Sequence, residues 1–377
     1  MTWRGETRAV SGTRAASGSN DVQRTPLFDE YAAFGAKATD FHGWALPIQF
    51  SGIIAEHHHT RRQAGLFDCS HMGEFLLRGE AALHTFDRLV FSDMIGLKPG
   101  RCRYTAILNE HGGIVDDCVG LRLSEDELYL VTNAAPLKQV AAMLDGPGVE
   151  NVSDATAKLD LQGPASRQVL LDVGLTDIAP LGYWTGRRCM WQGRELVVTR
   201  AGYTGELGYE LFIPAEDARD LWRALIAHPA VLPCGLGARD TLRMEMCYPL
   251  NGQDLTEDTT PLEAAMDRFI AWDSDFPGKE TLLAQRERGC ARVLTPIVSE
   301  SRQAPRHGFE VYHDGKAVGV VSSGGFGPSV ERGIGLAYVP PALAAPGTPL
   351  TVGPRAIRVE TAEVPIYKHG TCRMRFT

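Results

Sequence analysis

Between Thr25 and Cys247 short strand patterns and short helix patterns follow one another without a regular β-α-β rhythm, and this irregular mixture argues for an α+β fold over a doubly wound parallel sheet. Glu74–Leu77 and Tyr104–Leu108 read as strands flanking a helix near Ala81–Phe91, and Gly113–Thr132 reads as two strands around the polar turn Ser124-Glu125-Asp126. Arg194–Thr199 and Tyr209–Ile213 are further strand patterns, with helical ones at about Glu216–Ala227 and Ala238–Cys247. An earlier helix is expected from Ile53 to Ala64, stopped by Gly65, and one before it starts at the capping pair Thr25-Pro26 and stops at Gly35.

Beyond a linker at about residues 271–289 the character changes. Helix signals become sparse, and Asp314-Gly315, inside Val311–Lys316, is a strong hairpin turn. Residues 290–377 therefore read as a small β-barrel or jelly-roll domain, after a region of two interleaved α+β domains at 25–275. Residues 1–24, rich in Ser, Gly and Ala with four arginines, read as a disordered extension. They lack the apolar stretch of a secretory signal, and Trp3 and the glycines break the amphipathic stripe of a transit peptide, so a cytoplasmic location is expected.

A length of 377 residues suits two or three cooperating domains. The net charge of -8 argues against nucleic-acid binding, which needs a basic face to neutralise phosphates. No apolar run approaches a membrane span. The eight cysteines are scattered without a Cys-x-x-Cys pair, so neither zinc nor an iron-sulfur cluster is suggested, and reduced thiols are the simplest reading.

Three segments could carry chemistry. In Gly112-Gly113-Ile114-Val115-Asp116-Asp117 two adjacent acids open a strand, and alternation turns them to opposite faces; Asp117 shares its face with Val119 and Leu121. On spacing alone, two solvated turn residues are the better reading. In Gly202-Tyr203-Thr204-Gly205-Glu206-Leu207-Gly208-Tyr209-Glu210 the glycines would let a ligand come close to the backbone, with Tyr203 and Glu210 offering a ring and a carboxylate. In isolation a hairpin loop with a surface glutamate suits it better. Gly235-Leu236-Gly237-Ala238-Arg239-Asp240 lacks the third glycine of a dinucleotide fingerprint, and reads as a helix N-terminus that could hold an anion or as an ordinary surface ion pair. His57-His58-His59 points in three directions on a helix, so a solvated face is expected rather than a metal site. His71 could be a general base or a core histidine.

The order of these motifs, with Gly65-Leu66-Phe67-Asp68-Cys69-Ser70-His71-Met72-Gly73-Glu74, Leu161-Gln162-Gly163-Pro164, Thr260-Pro261-Leu262-Glu263, Asp275–Glu280, Pro305-Arg306-His307-Gly308 and Pro365–Lys368, closely resembles the glycine cleavage T-protein family from residue 25 to about 370. The resemblance implies a three-domain cloverleaf around a central hole for tetrahydrofolate, with a C-terminal β-barrel. It implies an aminomethyltransferase that takes the one-carbon unit from the lipoyl arm of the H-protein, releases ammonia and forms 5,10-methylene-tetrahydrofolate, with no metal. Carried over motif by motif, Asp117 would act beside the reacting folate nitrogens and Glu210 would grip the pterin. Met72, Tyr104, Asn133, Tyr203, Arg239 and Tyr248 would complete the pocket, Arg239 holding Glu210 or a folate carboxylate, and the basic tail Lys368, Arg373 and Arg375 could meet the glutamyl tail. The sequence departs from the family at Cys69, Leu121 and Pro136, where valine, tyrosine and asparagine are usual. A tetrahydrofolate-dependent demethylase on the same scaffold is the nearest alternative. A non-catalytic folate-binding iron-sulfur assembly protein is the other, but its cysteine-containing signature is missing from Asp275–Glu280.

Overall fold

The computed structural model describes residues 22–376, so most of the segment expected to be disordered lies outside the described residues. Regular pairing starts slightly before Thr25: the Gln23 amide donates to the Gly43 carbonyl, and the Ala45 amide donates back to the Gln23 carbonyl. The chain divides into two compact units.

One unit combines residues 22–74, 151–240 and 370–376. Its six-stranded sheet runs in the order Gly186–Trp191, Arg194–Thr199, Gly208–Pro214, Thr156–Gln162, Ala64–Asp68, Val231–Pro233. All neighbours are antiparallel except the last pair, which is parallel. Leu159 and Leu161 of the central strand join Leu66, Trp191, Leu211 and Trp222 in the core on one face. The intervening Lys158, Asp160 and Gln162 look to the other face and are equally buried.

The helix Ile53–Arg62 is shorter than expected, and Gly65 lies inside the strand Ala64–Asp68 instead of ending the helix. The histidine run is not a solvated face, because His57 and its neighbour Glu56 are fully buried. At Phe28–Phe34 the chain forms a 3-10 helix. The Thr25 hydroxyl does not cap it but donates to Asp68 at 2.7 Å, where Tyr31 also donates at 2.6 Å. Tertiary hydrogen bonding has overridden the local capping preference.

The other unit takes residues 75–150 and 241–369. Its five-stranded sheet has the order Cys102–Leu108, Ile114–Ser124, Glu127–Thr132, Gly73–Arg78, Val149–Asn151. Packed on it is the helix Gly79–Asp87, which begins and ends earlier than the pattern suggested. The expected hairpin spans Ile114–Thr132 around the Glu125–Asp126 turn. The helix Lys279–Arg288 ends at Gly289, whose φ of 83° is one that glycine tolerates.

Six strands between Val293 and Thr361 then close into a barrel, with Ile297, Val311, Val321, Ala337, Leu350 and Val359 in its core. Asp314 and Gly315, at φ 50° and 73°, make the tight turn between Glu310–His313 and Lys316–Gly327. A polar network ties the barrel to the segment before it. Buried Arg243 donates to Asp254 at 2.9 Å and to Ser323 at 3.0 Å, and Ser322 donates to Asp254 at 2.6 Å.

Candidate functional site

The strand Thr156–Gln162 builds the first cluster. Its period of two puts Lys158 and Asp160 on one face, and the register sets Asp160 directly opposite Glu210 on Gly208–Pro214. Two carboxylates facing each other across a ladder repel. Lys158, one step along the same face, resolves this by pairing with both, at 2.5 Å to Asp160 and 3.0 Å to Glu210. Thr199, opposite Glu210 on the next strand, donates to its second oxygen at 2.8 Å.

Arg239 completes the chain of charges by pairing with Asp160 at 3.0 Å. Its guanidinium also lies 5.0 Å from the centre of the Tyr203 ring. Of the two partners expected for Arg239, Glu210 or a folate carboxylate, Glu210 is paired with Lys158 instead, and Asp160 takes the arginine. Burial works against the charge on Lys158, but Asp160 and Glu210 outweigh it and raise its pKa. Burial likewise pushes Asp160 up, yet Lys158 and Arg239 prevail and hold it below the ordinary carboxylate value.

Around these four charges sit three groups that stay neutral. Cys69 donates its thiol to Asp160 at 3.4 Å, and burial pushes its pKa up to about 12. His71 is 6 % exposed, its Nδ1 has no hydrogen-bond partner, and burial beside Arg239 and Lys158 lowers its pKa to about 3. It is held as the neutral imidazole near pH 7. Glu74 is completely buried with both side-chain oxygens unpartnered. Burial raises its pKa well above the ordinary value, against the pull of Lys158. Met72 is half-buried in the turn closed by its amide on the Cys69 carbonyl at 3.0 Å.

Two of the glycines preceding Glu210 are required by packing. A Cβ on Gly202 or Gly208 would come within 2.0 or 2.1 Å of the Gln162 amide. They make room for Gln162, which donates to the Ala201 carbonyl and accepts from Thr204. Glu206 is also internal: it pairs with Arg61 at 2.9 Å and accepts from Thr371. The Gly235 amide, at the start of the helix Leu236–Glu245, donates to Glu56 at 2.8 Å, so the protein supplies its own anion there.

The second cluster lies in the other unit, on the strand Ile114–Ser124. Asp116 is fully buried and Asp117 half-buried, so neither is a solvated turn residue. Alternation alone would separate them, but one side chain reaches both. The Asn133 Nδ2 donates to Asp116 Oδ1 at 2.7 Å, to the Asp117 carbonyl at 2.8 Å and to Asp117 Oδ1 at 3.0 Å. The Asn133 amide adds a bond to Asp116 Oδ2 at 3.1 Å. Tyr104, from the adjacent strand Cys102–Leu108, donates to Asp117 Oδ2 at 2.9 Å, with its ring held against Phe269. Burial raises the pKa of Asp117 against the hydrogen bonds from Tyr104, Asn133 and Asn251. Asp116 is driven well above the ordinary value by burial and by the Asp117 charge. Tyr248 is half-buried, its amide bonded to the Arg243 carbonyl and its carbonyl to the Arg243 guanidinium.

Sequence reasoning thus missed Lys158, Asp160 and the pairing of Asp116 with Asp117. The signal for the first two was present in Thr156-Ala157-Lys158-Leu159-Asp160-Leu161-Gln162, an alternation with an apolar side and a charged side. Among the described residues no group of three or more His, Cys, Asp or Glu is placed to hold a metal ion. No described helix is long and apolar enough to cross a membrane.

A model of the GCVT N-terminal domain matches residues 27–274, and one of the glycine cleavage T-protein C-terminal barrel domain matches residues 292–368. Those matches define the class: a GCVT domain joined to a C-terminal barrel. The aminomethyltransferase of Halalkalibacterium halodurans is 43 % identical over 364 residues, covering 93 % of this chain and 99 % of the relative. That of Geobacillus kaustophilus is 42 % identical over 358 residues, covering 92 % and 98 %. The crystal structure of the glycine cleavage system aminomethyltransferase T from Bartonella henselae is similar at a TM-score of 0.87 with 34 % identity, covering 92 % and 98 %. The chain belongs to the glycine cleavage T-protein family, the family of the aminomethyltransferases.

Proposed function

We propose that this chain transfers the one-carbon unit of an aminomethyl group, carried on the lipoyl arm of a glycine cleavage H-protein, to tetrahydrofolate. Ammonia is released and 5,10-methylene-tetrahydrofolate is formed. The observation that carries this reading is Asp117, a half-buried carboxylate in a family member, held by Tyr104 and Asn133 and making no ion pair among the described residues. Such a group accepts protons readily and favours positive charge developing beside it.

The overall chemistry is proton management. The two folate nitrogens that bond the new carbon each give up a proton, one of which ends on the departing amine and the other on the lipoyl sulfur. Asp117 relays protons from the folate nitrogens. Glu210 accepts paired N–H bonds from the aminopyrimidine edge of the pterin, since each carboxylate oxygen has a lone pair beyond those used by Lys158 and Thr199. Met72, Tyr203, Tyr104 and Tyr248 offer apolar and ring surface to the folate, Asn133 a polar contact, and Arg239 a positive charge held in place by Asp160. We assign folate binding to residues 25–275 and the barrel to 290–377, and place the reaction in the cytoplasm, a setting that suits eight free thiols.

The test is incubation of the protein with tetrahydrofolate and aminomethylated H-protein. Release of ammonia with formation of methylene-tetrahydrofolate is expected. Silence on that pair, with turnover of a methylated sulfur, nitrogen or oxygen donor, would reassign the chain as a demethylase.

A further inference from the structure

Asp116 has no part in the reaction outlined above, and its surroundings call for one. It is fully buried, and both of its oxygens are bonded by Asn133 alone. Neither Asp116 nor Asp117 forms an ion pair among the described residues. The neighbouring strand sets the apolar Ile107 opposite Asp116 and Ala106 opposite Asp117. The groups that face the pair are the Tyr104 phenol, the Asn251 and Asn133 amides and the Cys118 thiol, all uncharged. Two full negative charges on adjacent residues, one of them fully buried and neither with a cation, are costly.

The hydrogen bonds decide where the single charge rests. Asn133 Nδ2 has two protons for three oxygens within 3.0 Å, so the Asp117 carbonyl competes with the two carboxyl groups for them. Asp117 has further neutral donors in Tyr104 and Asn251 and is the less buried of the two. More donors and more solvent favour the anion there, and the charge on Asp117 in turn keeps the proton on Asp116.

We propose that Asp116 and Asp117 form one carboxyl pair with one proton, Asp116 holding the proton and Asp117 the charge, and that Asp116 is a positioning residue of the transfer, fixing Asn133 against Asp117. Paired carboxyls whose surroundings drive them apart in acidity are a recurrent way of having an acid and a base in one site. Deprotonation of Asp116 at high pH would put a second charge on the pair and pull the Asn133 amide away from Asp117, so turnover falls on the alkaline side. This inference rests on the reading of Asp117 given above.

The experiment follows the aspartate carboxyl carbons by ¹³C NMR over a pH titration of the full-length protein, alongside kcat against pH, in wild type, Asp116→Asn and Asp117→Asn. Two steps are expected in wild type, the upper one well above the ordinary carboxylate range. Asp116→Asn removes the upper step and moves the alkaline limb of kcat up by about one unit or more. In Asp117→Asn the Asp116 step moves down by about one unit or more, because its charged neighbour is gone. Two ordinary carboxylate titrations in wild type, an upper step that survives Asp116→Asn, or an alkaline limb that stays in place would each overturn the pair. If Asp116→Asn does not fold, the wild-type and Asp117→Asn titrations decide. Wild-type turnover by Asp117→Asn would instead defeat the functional reading while leaving the two-step titration standing.

Discussion

At the scale of single residues the proposed chemistry divides between one carboxylate that moves protons and one that holds. Asp117→Asn keeps the shape and the hydrogen bonds but removes the proton acceptor, and should lower kcat by about 10²-fold or more with little change in folate affinity. Steady-state kinetics with tetrahydrofolate varied separates the two effects. Glu210→Ala should do the reverse, raising the folate dissociation constant by about 10- to 100-fold, the range of a lost charge-assisted hydrogen bond.

Glu74 gives a prediction about pH. Its folded pKa is raised by burial, so above about 4.3, the unfolded value, the unfolded chain releases a proton that the folded chain keeps. Folding stability is lost with rising pH across that window. Glu74→Gln removes the loss, and its stability advantage over wild type should grow by up to about 1.4 kcal/mol per pH unit until the folded value is reached. Urea unfolding at several pH values checks this, and a difference that stays flat would show Glu74 to be charged in the fold.

Family motifs single out Asp117, Glu210 and Tyr104 in the sequence, and their roles are those proposed above. The electrostatics around them were not legible there, because hydrogen bonds such as Asn133 to both acids depend on a strand pair brought together by the fold.

At the scale of elements, the charged face of the strand Thr156–Gln162 is the costliest feature. Lys158 lies between two carboxylates that the register forces to face each other. Lys158→Met should destabilise the protein by about 3–5 kcal/mol, because it leaves Glu210 without its cation and Asp160 with Arg239 alone. Equilibrium denaturation measures it, and a neutral outcome would mean that Arg239 compensates alone. The hairpin at Asp314-Gly315 was readable since its turn chemistry is local. The early capping pair was misread because Thr25 and Tyr31 answer to Asp68, more than thirty residues further along the chain. Likewise Gly65 resembles a helix stop in sequence, but its backbone belongs to a sheet whose other strands lie far away in the chain.

At the scale of the molecule, ligand binding and stability are linked. Tetrahydrofolate at a hundredfold excess over its dissociation constant should add about 2.7 kcal/mol to unfolding. Scanning calorimetry reads this as a higher melting temperature, and Glu210→Ala should lose from about half to most of the gain at the same folate concentration. An equal gain in the variant would remove Glu210 from the folate site. The C-terminal barrel was legible from helix-poor, turn-rich sequence. Which segments each unit gathers was not legible, because they come from distant parts of the chain.

That division has a consequence for biosynthesis. The Thr371 hydroxyl accepts from the Leu207 amide and donates to Glu206, and the Cys372 amide donates to the Gly205 carbonyl, so a unit whose first described strands precede residue 50 is closed by a segment made after the whole barrel. A ribosome-bound nascent chain exposes these bonding groups until translation passes Cys372, which leaves a long interval in which chaperone capture competes with completion of the fold.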